Sequence, residues 1–495
     1  MNKENQFTLI GAKGLLPKVD PIVVSNNVAF NAMSKTAEKL PMLVKEGRVV
    51  SCIQEEFNVN IDEILESGDK ALIASAHSMI VAISHAYEVE AGKSAQGEPV
   101  LIPERLSTHL VALSNAVGVP PTHTYQAYIL QNYYLIDPNK GFSLDNLSSR
   151  FTYTDTVGEK HFVKIHLMCE YYGGKILESL EVVSKIIQSG EASAFPYDVY
   201  MRNYLEVAND NVNRMTDTLK SMNSVLDPEE FFFQLRPLLK NYAHGVIFEH
   251  DTESKAVDYR GASGAQSTII PLVDKMMGYS ISQEEVMKDM LNYMPKEHVK
   301  YLDHIKPVIR DHVIHSGDSE LIRLYNEITE STATFRSTHY FEIIVPYIVK
   351  NVAGHFAGGI SGKFPGIDKG TLSNQFIESF NLIKSYFIKN ANDFSNMKSI
   401  LDNVNTELLD LIPTSDSCDT VNQNNDSYEL THLLCEMFIN TKETDVLENI
   451  LDNISGFATK TFGTAGMDFA HQLQSNILDT RTNTIGEVDA EIEIL

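Results

Sequence analysis

A histidine and an arginine lie one helical turn apart in the segment 319–352. His339 continues an apolar stripe of this segment at helical spacing, and Arg336 precedes it by three residues. An imidazole on such a stripe can ligate a metal, and a neighbouring guanidinium can neutralise a carboxylate. The pair therefore suits a haem, whose iron needs an axial nitrogen and whose propionates need a cation. A histidine that only packs in the core is the alternative.

The segment DPEEFFFQLRPLL, residues 227–239, combines three consecutive phenylalanines with an arginine. Adjacent side chains of a helix point about 100° apart, so some of the rings are expected to line a cavity. Arg236 follows Phe231 by five residues and Phe232 by four. An apolar pocket with one fixed guanidinium suits an aromatic molecule that carries a carboxylate. A packed aromatic helix with Arg236 in a surface ion pair is the alternative.

The sequence YRGASGAQST, residues 259–268, is rich in small and hydroxyl-bearing residues. Small residues let the backbone approach a flat ligand closely, and the hydroxyl of Ser263 could hydrogen-bond to it. The same composition is equally typical of a loop that initiates a helix. By itself the segment does not decide between the two.

Long amphipathic stretches predict the elements that must position these residues, because apolar side chains recur every three or four positions. The clearest predicted helices are 70–88, 165–188, 199–225 and 319–352. Strand-like alternation is limited to 151–154 and 246–249. We therefore expect a mostly α fold.

Turn-forming residues near Asp155 divide the chain into a smaller N-terminal helical domain, 1–154, and a larger helical domain, 155–495, that would hold the haem. Within the larger domain, a glycine-rich tract at 354–370 and a polar tract at 414–426 indicate an added helical insert at about 354–459.

Charge and composition exclude several classes of partner. The chain has 495 residues with 40 basic and 66 acidic side chains, a net charge of −26. So acidic a protein repels phosphate, which argues against nucleic acid or an anionic membrane as a partner. The four cysteines are far apart, and neither a leader-like start nor a long uncharged apolar run is present. These features predict a cytoplasmic protein with reduced thiols.

Two other patterns fail as sites. AGGISGKFPG, residues 357–366, lacks the first glycine of a phosphate-binding loop, and Phe364 stands where a serine or threonine would hold magnesium. The histidines at 298, 304, 312 and 315 include no HExxH pattern, so we expect a solvated helix face in place of a zinc site.

Together these segments resemble the indoleamine 2,3-dioxygenase family. The matching stretches occur in order and are LIPERL (101–106), PPTHTYQAYIL (120–130), DPNK (137–140), HFVKIHLMCE (161–170), DPEEFFFQLR (227–236), RGASGAQS (260–267), YMPKEH (293–298), RSTHYFEIIVPYI (336–348) and GTAGMD (463–468).

The resemblance implies a haem-dependent oxidoreductase with haem b as cofactor and dioxygen as co-substrate. It implies that a small aromatic amino acid, L-tryptophan, is converted to N-formylkynurenine, with a reductant that the sequence does not identify. By position, His339 would be the proximal ligand of the iron, Arg336 the partner of a haem propionate and Arg236 the residue that grips the substrate carboxylate.

Further residues match the pocket of the family. By position, the pocket would be lined by Tyr125, Phe162, Phe231 and Ser263, with Ser263 close to both haem and substrate. Thr464 falls in the segment 463–468, which resembles the mobile loop that closes over the site.

Two residues depart from the family pattern. His166 stands where vertebrate-type members have a serine, and the sister tryptophan 2,3-dioxygenases place a histidine near the indole N–H, so His166 is a catalytic candidate. Tyr128 replaces a smaller residue in the pocket wall. Two alternatives stay open, the first of them because of Tyr128 and the added insert. One is another haem-dependent transformation of a tryptophan-derived substrate, as in a relative from pyrrolnitrin biosynthesis. The other is a non-enzymatic haem or gas-binding protein, against which Arg236 argues because a gas binder needs no carboxylate clamp.

Overall fold

The structure is a computed structural model that describes residues 10–11, 13–242, 244–251, 253, 255–280, 284–349, 476–477 and 479–486. Helices dominate these ranges, which confirms the predicted mostly α fold. None of the described helices combines the length and apolar character that a membrane-spanning segment needs. The predicted insert and the predicted closing loop with Thr464 lie outside the described residues.

The described residues up to Ser148 include six α-helices and three short strands. They are α1 Val28–Glu38, α2 Leu40–Glu46, α3 Val49–Glu55, α4 Asp62–Glu66, α5 Lys70–Gly92, β1 Val100–Ile102, α6 Glu104–Val117, β2 Tyr134–Leu135 and β3 Leu147–Ser148. Helix α5 is the centre of this part, because its residues are buried on all sides from Ser75 to Glu88. Both α1 and α6 pack against it.

The following part of the chain is built around three long helices, α7, α8 and α14. Its elements are α7 Val157–Ser189, α8 Tyr197–Lys220, α9 Pro228–Glu230, β4 Val246–Phe248, α10 Ile269–Met277, α11 Glu284–Leu291, α12 Lys296–His304, α13 Val308–Ser316 and α14 Ser319–Thr338. α8 packs against both α7 and α14, while α10 and α13 pack on α7. Their apolar faces meet in one core, to which Ile176, Leu205, Leu272 and Tyr325 belong.

Three segments of the described ranges are wound as π-helix, with a wider turn than the α-helix. They are Gln126–Leu130, Phe231–Leu235 and His339–Val349. The last continues α14 directly and contains Pro346, so the helix extends past this proline, within the predicted helix 319–352. All three lie at or beside residues that the sequence assigns to the site, and π-turns are frequent at functional sites.

The described strands are two or three residues long. β1 pairs with β4 in parallel, with Val100 opposite Val246, and β2 pairs with β3 in antiparallel. The predicted strand 246–249 is thus confirmed as β4, whereas the strand predicted at 151–154 is wrong. There the carboxylate of Glu159 accepts hydrogen bonds from the backbone N–H groups of Tyr153 and Thr154, at 2.7 and 2.6 Å. These two groups are therefore not available for pairing with a neighbouring strand.

The prediction that the histidines at 298–315 lie on a solvated helix face is wrong for His298. His315 is exposed, and its Nδ1 lies 2.6 Å from the carbonyl oxygen of Asp311 on the same helix. His298 is instead buried, and its Nδ1 lies 2.8 Å from the hydroxyl of Thr268. Burial lowers the pKa of His298 to about 4, so it is a neutral core residue.

The chain divides into two compact units. The first contains every described residue up to Ile343 and those from 476 onward. Of the second unit, only Ile344–Val349 is described. The division at 154/155 into a small and a large domain stays a prediction.

The N-terminal segment crosses α7 at a point where each of the two segments has a glycine. A Cβ built on Gly14 would lie 2.3 Å from the Cα of Gly174, and Gly14 has a φ of +66°. Neither residue can carry a side chain at this distance. On either side of Gly14, Ile10 and Leu15 enter the core that also contains Ile176 and Leu177. The crossing therefore anchors the N-terminal segment to α7.

Candidate active site

Phe162 and His166 lie one turn apart on α7 and face each other. Thr156 caps the start of this helix by accepting a hydrogen bond from the N–H of Glu159. The ring centroids of Phe162 and His166 are 4.3 Å apart, and Nδ1 of His166 lies 2.8 Å from the carbonyl oxygen of Phe162. Because a carbonyl only accepts, Nδ1 carries the proton, and Nε2 of the neutral ring is left as an acceptor.

The three phenylalanines after α9 have different surroundings, as expected for consecutive helical residues. Phe231 is buried, and its ring lies 5.6 Å from that of Phe162. Phe232 is half-buried, and Phe233 is 44% exposed. The predicted pocket-lining pair Phe162 and Phe231 is thus brought together, and both rings are on the same side of α7 as His166.

Arg236 follows the π-helical turn and is buried, not on the surface. Its guanidinium lies 5.1 Å from the ring centre of Phe232. Burial lowers its pKa to about 10, so the side chain is still charged at neutral pH. Burial, and repulsion by Arg236, also lower the pKa of Lys240 to about 8. A desolvated guanidinium beside an aromatic ring is suited to bind an anionic group of an aromatic ligand.

His339 is the first residue of the π-helix that continues α14. Burial, and to a smaller degree His166, lower its pKa to about 4. Burial also lowers the pKa of His166. By solvent accessibility both residues are half-buried. A neutral imidazole can ligate iron, and the described residues are in this respect compatible with haem.

Arg336 is buried and already has two partners. Its Nη2 donates to Oδ2 of Asp274 on α10 at 2.6 Å, and its Nη1 donates to the hydroxyl of Thr480. Burial raises the pKa of Asp274, and the guanidinium opposes that shift. The two bonds use two of the five N–H donors, so a role toward a propionate stays a prediction. No local pattern in the sequence indicates Asp274 as this partner, because it lies 62 residues from Arg336.

Tyr125 contacts His166 at the start of the first π-helix. The two ring centroids are 5.9 Å apart in an edge-to-face arrangement. The hydroxyl of Tyr125 donates to Oε1 of Glu170 at 3.0 Å. Glu170, on α7, is a further residue of the site that was not predicted from the sequence, although its spacing of four residues from His166 is a usable signal.

Ser263 and Tyr128 have contacts that are structural. Ser263 caps the short 3₁₀ turn Gly264–Gln266 by accepting a hydrogen bond from the N–H of Ala265 at 3.2 Å. The hydroxyl of Tyr128 donates to Glu159 at 2.9 Å, and its ring stacks on Tyr153. Roles for both side chains in the pocket stay predictions.

The described geometry defines a mainly helical protein in which the rings of Phe162, Phe231 and His166 meet. His339 is close enough to His166 for its pKa to be affected, and Arg236 is buried five residues after Phe231. A family model described as "Indoleamine 2,3-dioxygenase" matches residues 3–358. The chain belongs to the indoleamine 2,3-dioxygenase family, whose enzymes are oxidoreductases.

Curated relatives match at modest identity. Indoleamine 2,3-dioxygenase of Saccharomyces cerevisiae is 25% identical over 362 residues, which cover 68% of this chain and 78% of the relative. Indoleamine 2,3-dioxygenase 2 of Homo sapiens is 22% identical over 66% of this chain and 79% of its own. A protein named myoglobin from Haliotis madaka is 23% identical over 65% of this chain and 82% of its own.

Proposed function

We propose that the protein is a haem-dependent dioxygenase that opens the indole ring of L-tryptophan to give N-formylkynurenine. The observation that carries the proposal is the meeting of Phe162, Phe231 and His166 within ring-contact distance, with Arg236 buried five residues after Phe231. An aromatic wall, a hydrogen-bond acceptor and a guanidinium are the three groups that an aromatic amino acid needs. Membership of the family supports the same reaction class.

His339 is the residue that would hold the haem iron, and its low pKa supports this role because only a neutral imidazole ligates. Arg336 would pair with a propionate through donors that Asp274 and Thr480 do not use. When bound, haem supplies the binding and activation of dioxygen, and the protein supplies position and a dry pocket.

The substrate would be oriented by this chain's own side chains. Phe162 and Phe231 would stack against the indole, and Arg236 would bind the carboxylate bidentately. Nε2 of His166 would accept a hydrogen bond from the indole N–H, since Nδ1 is engaged by Phe162. The resemblance to the family adds further residues that would line the substrate pocket: Tyr125, Tyr128, Ser263 and Thr464.

A second candidate is a haem protein that binds gas without chemistry. The observation that favours it is the similarity to the Haliotis madaka protein named myoglobin. The buried Arg236 beside Phe232 argues against it, because a diatomic gas has no anionic group for a guanidinium to bind.

The visible spectrum of the purified protein, recorded with and without tryptophan and dioxygen and followed by product analysis, tests the proposal. We expect a Soret band, a tryptophan-dependent consumption of dioxygen and N-formylkynurenine as the product. Reversible dioxygen binding without loss of tryptophan would support the gas binder. Another product from a tryptophan derivative would support the alternative reaction. Protein that lacks haem after expression in haem-supplemented cells would contradict all three. We further propose a cytoplasmic location, which cell fractionation would test.

A further inference from the structure

Glu170 is a buried carboxylate at the centre of a small hydrogen-bond network beside His166. Its side chain is 2% exposed. Oε1 accepts one hydrogen bond from the hydroxyl of Tyr125 at 3.0 Å and a second from the hydroxyl of Ser267 at 2.5 Å. Among the described residues, no lysine, arginine or histidine forms an ion pair with Glu170. Burial of a carboxylate without a cation costs free energy, so the two hydroxyl donors and the protonation state of Glu170 determine how it is accommodated.

The network joins three segments of the candidate site. Glu170 lies on α7 four residues after His166, and Tyr125 precedes the first π-helix with its ring against His166. Ser267 follows the turn that Ser263 caps, and its hydroxyl oxygen accepts the N–H of Ile269 at 3.3 Å.

Gln266 adds a second link between the same segments. Its Oε1 accepts the backbone N–H of Tyr125 at 2.8 Å, and its Nε2 donates to the carbonyl oxygen of Gly261 at 2.9 Å. A change in the strength of the hydrogen bonds from Tyr125 and Ser267 to Glu170 therefore affects the position of the Tyr125 ring, which contacts His166.

The protonation state of Glu170 changes near neutral pH. Burial raises its pKa to about 7, against the opposing effect of the two hydroxyl donors. The titratable neighbours stay neutral in this range. The pKa values of the Tyr125 hydroxyl and the Cys169 thiol are raised by burial and by Glu170, and burial lowers that of His166. Glu170 is thus the group of this cluster that changes charge around neutrality.

Building on the proposed function, we propose that Glu170 is a positioning residue of the substrate pocket. Its carboxylate holds Tyr125 against His166 and the segment 261–267 against α7, and its protonation weakens both holds. The physical reason is that a hydroxyl bound to an ionised carboxylate is held about twice as strongly as one bound to a neutral acceptor. The pocket is therefore best ordered for the substrate when Glu170 is ionised.

Infrared difference spectroscopy of the purified protein as a function of pH tests the ionisation directly. In the wild type we expect the carbonyl band of a protonated, buried carboxyl group. As the pH rises, this band should disappear with a midpoint at about pH 7. Glu170→Gln should remove this band. Glu178→Gln is the matched control, because Glu178 lies on the same helix but is 51% exposed and paired with Lys175, so the band should persist. A wild type without the band, or a band that persists in Glu170→Gln, overturns the proposal.

Tryptophan affinity as a function of pH tests the positioning role. In the wild type we expect affinity to increase as the pH rises through about 7, whereas Glu170→Gln should be about tenfold weaker above that pH and lack this step. Tyr125→Phe should cost a similar factor, and the cost in the double variant should be less than the sum of the two single costs, because both substitutions act on the bond between Glu170 and Tyr125. An unchanged pH step in Glu170→Gln, or costs that add, overturns the proposal.

Two features keep this test separate from that of the proposed function. The infrared band requires neither haem nor tryptophan, so a protein without haem would defeat the proposed function and leave the ionisation measurable. If Glu170→Gln does not fold, Tyr125→Phe decides instead. Loss of one donor to the charged form must raise the infrared midpoint, and an unchanged midpoint would show that Tyr125 does not bind the carboxylate.

Discussion

The carbonyl oxygen of Phe162 determines which nitrogen of the His166 ring carries the proton. Nδ1 of His166 lies 2.8 Å from this oxygen, one turn earlier on α7. The imidazole therefore presents Nε2 without a hydrogen as long as the ring is neutral. The contact with a backbone carbonyl does not by itself make His166 structural, since it orients the other nitrogen for a donor such as an indole N–H.

Tryptophan affinity should fall at acidic pH in the wild type. Burial lowers the pKa of His166 from 6.5, so the acceptor is intact above the lowered value and is lost as the pH falls through it. His166→Ser should keep part of the activity and flatten this acidic step in binding titrations. A 1-methyl indole substrate should bind the wild type poorly. The difference in affinity between it and tryptophan should be smaller in the variant. Identical pH profiles and identical discrimination in both proteins would leave only a packing role.

Arg236→Leu should abolish turnover of tryptophan while haem and dioxygen binding persist. Loss of a buried charge pair costs on the order of 2–5 kcal/mol, so tryptophan affinity should fall at least about thirtyfold. Equilibrium binding of tryptophan and of an analogue without the carboxylate provides the comparison. The analogue should be nearly indifferent to the substitution, and an equal loss for both ligands would mean that Arg236 is structural.

His339→Ala should eliminate stable haem binding and leave a folded protein. The axial bond is lost, whereas the preceding helix α14 keeps its own anchors in the core, among them Tyr325 and Ile328. Haem content from the visible spectrum and helix content from circular dichroism measure the two effects. His304→Ala, at an exposed position, is the control that should retain haem. A normal Soret band in His339→Ala would exclude the ligand assignment.

Arg336→Leu should destabilise the protein even without haem. It leaves the carboxylate of Asp274 buried without its cation, a loss that typically costs about 3–5 kcal/mol. Urea unfolding of the haem-free protein measures this, and the double variant Arg336→Leu with Asp274→Asn should recover part of the stability. If haem-free stability is unchanged while haem affinity falls, Arg336 acts on the cofactor alone.

Gly174→Ala should destabilise the protein by about 1–3 kcal/mol through overpacking. Its Cβ would lie 2.2 Å from the Cα of Gly14, and a backbone atom cannot give way as a side chain can. Thermal unfolding measures the loss. Gly141→Ala is the control, since a Cβ there meets nothing within 4 Å. Equal melting temperatures of both variants would show that the N-terminal crossing is loose.

Helical periodicity was sufficient to predict the long helices, because each buries one continuous apolar face. The prediction 70–88 corresponds to α5, and 165–188 lies within α7. The π-helical turns could not be predicted in this way, since an extra residue per turn is stabilised by tertiary packing and not by a local signal. The strand at 151–154 failed because the Glu159 side chain competes for the backbone donors of a ladder.

Within the site, side chains close in sequence were easier to predict than distant partners. Phe162 and His166 share a helix face, and their contact follows from a spacing of four residues. The partners that determine charge, Asp274 for Arg336 and Ser267 for Glu170, come from remote segments. Such pairs depend on how helices pack, and no pattern in either segment alone indicates them.

The crossing of Gly14 and Gly174 also has a consequence for the order in which the protein folds. The two residues are 160 positions apart, so during synthesis the N-terminal segment has no docking surface until most of α7 has left the ribosome. Contacts between residues so far apart in sequence form late, because closing the long intervening loop costs conformational entropy before the contact stabilises the chain. Until then Ile10 and Leu15, which belong to the final core, remain in contact with solvent. During synthesis the nascent chain thus carries these apolar side chains unburied, and exposed apolar surface favours aggregation.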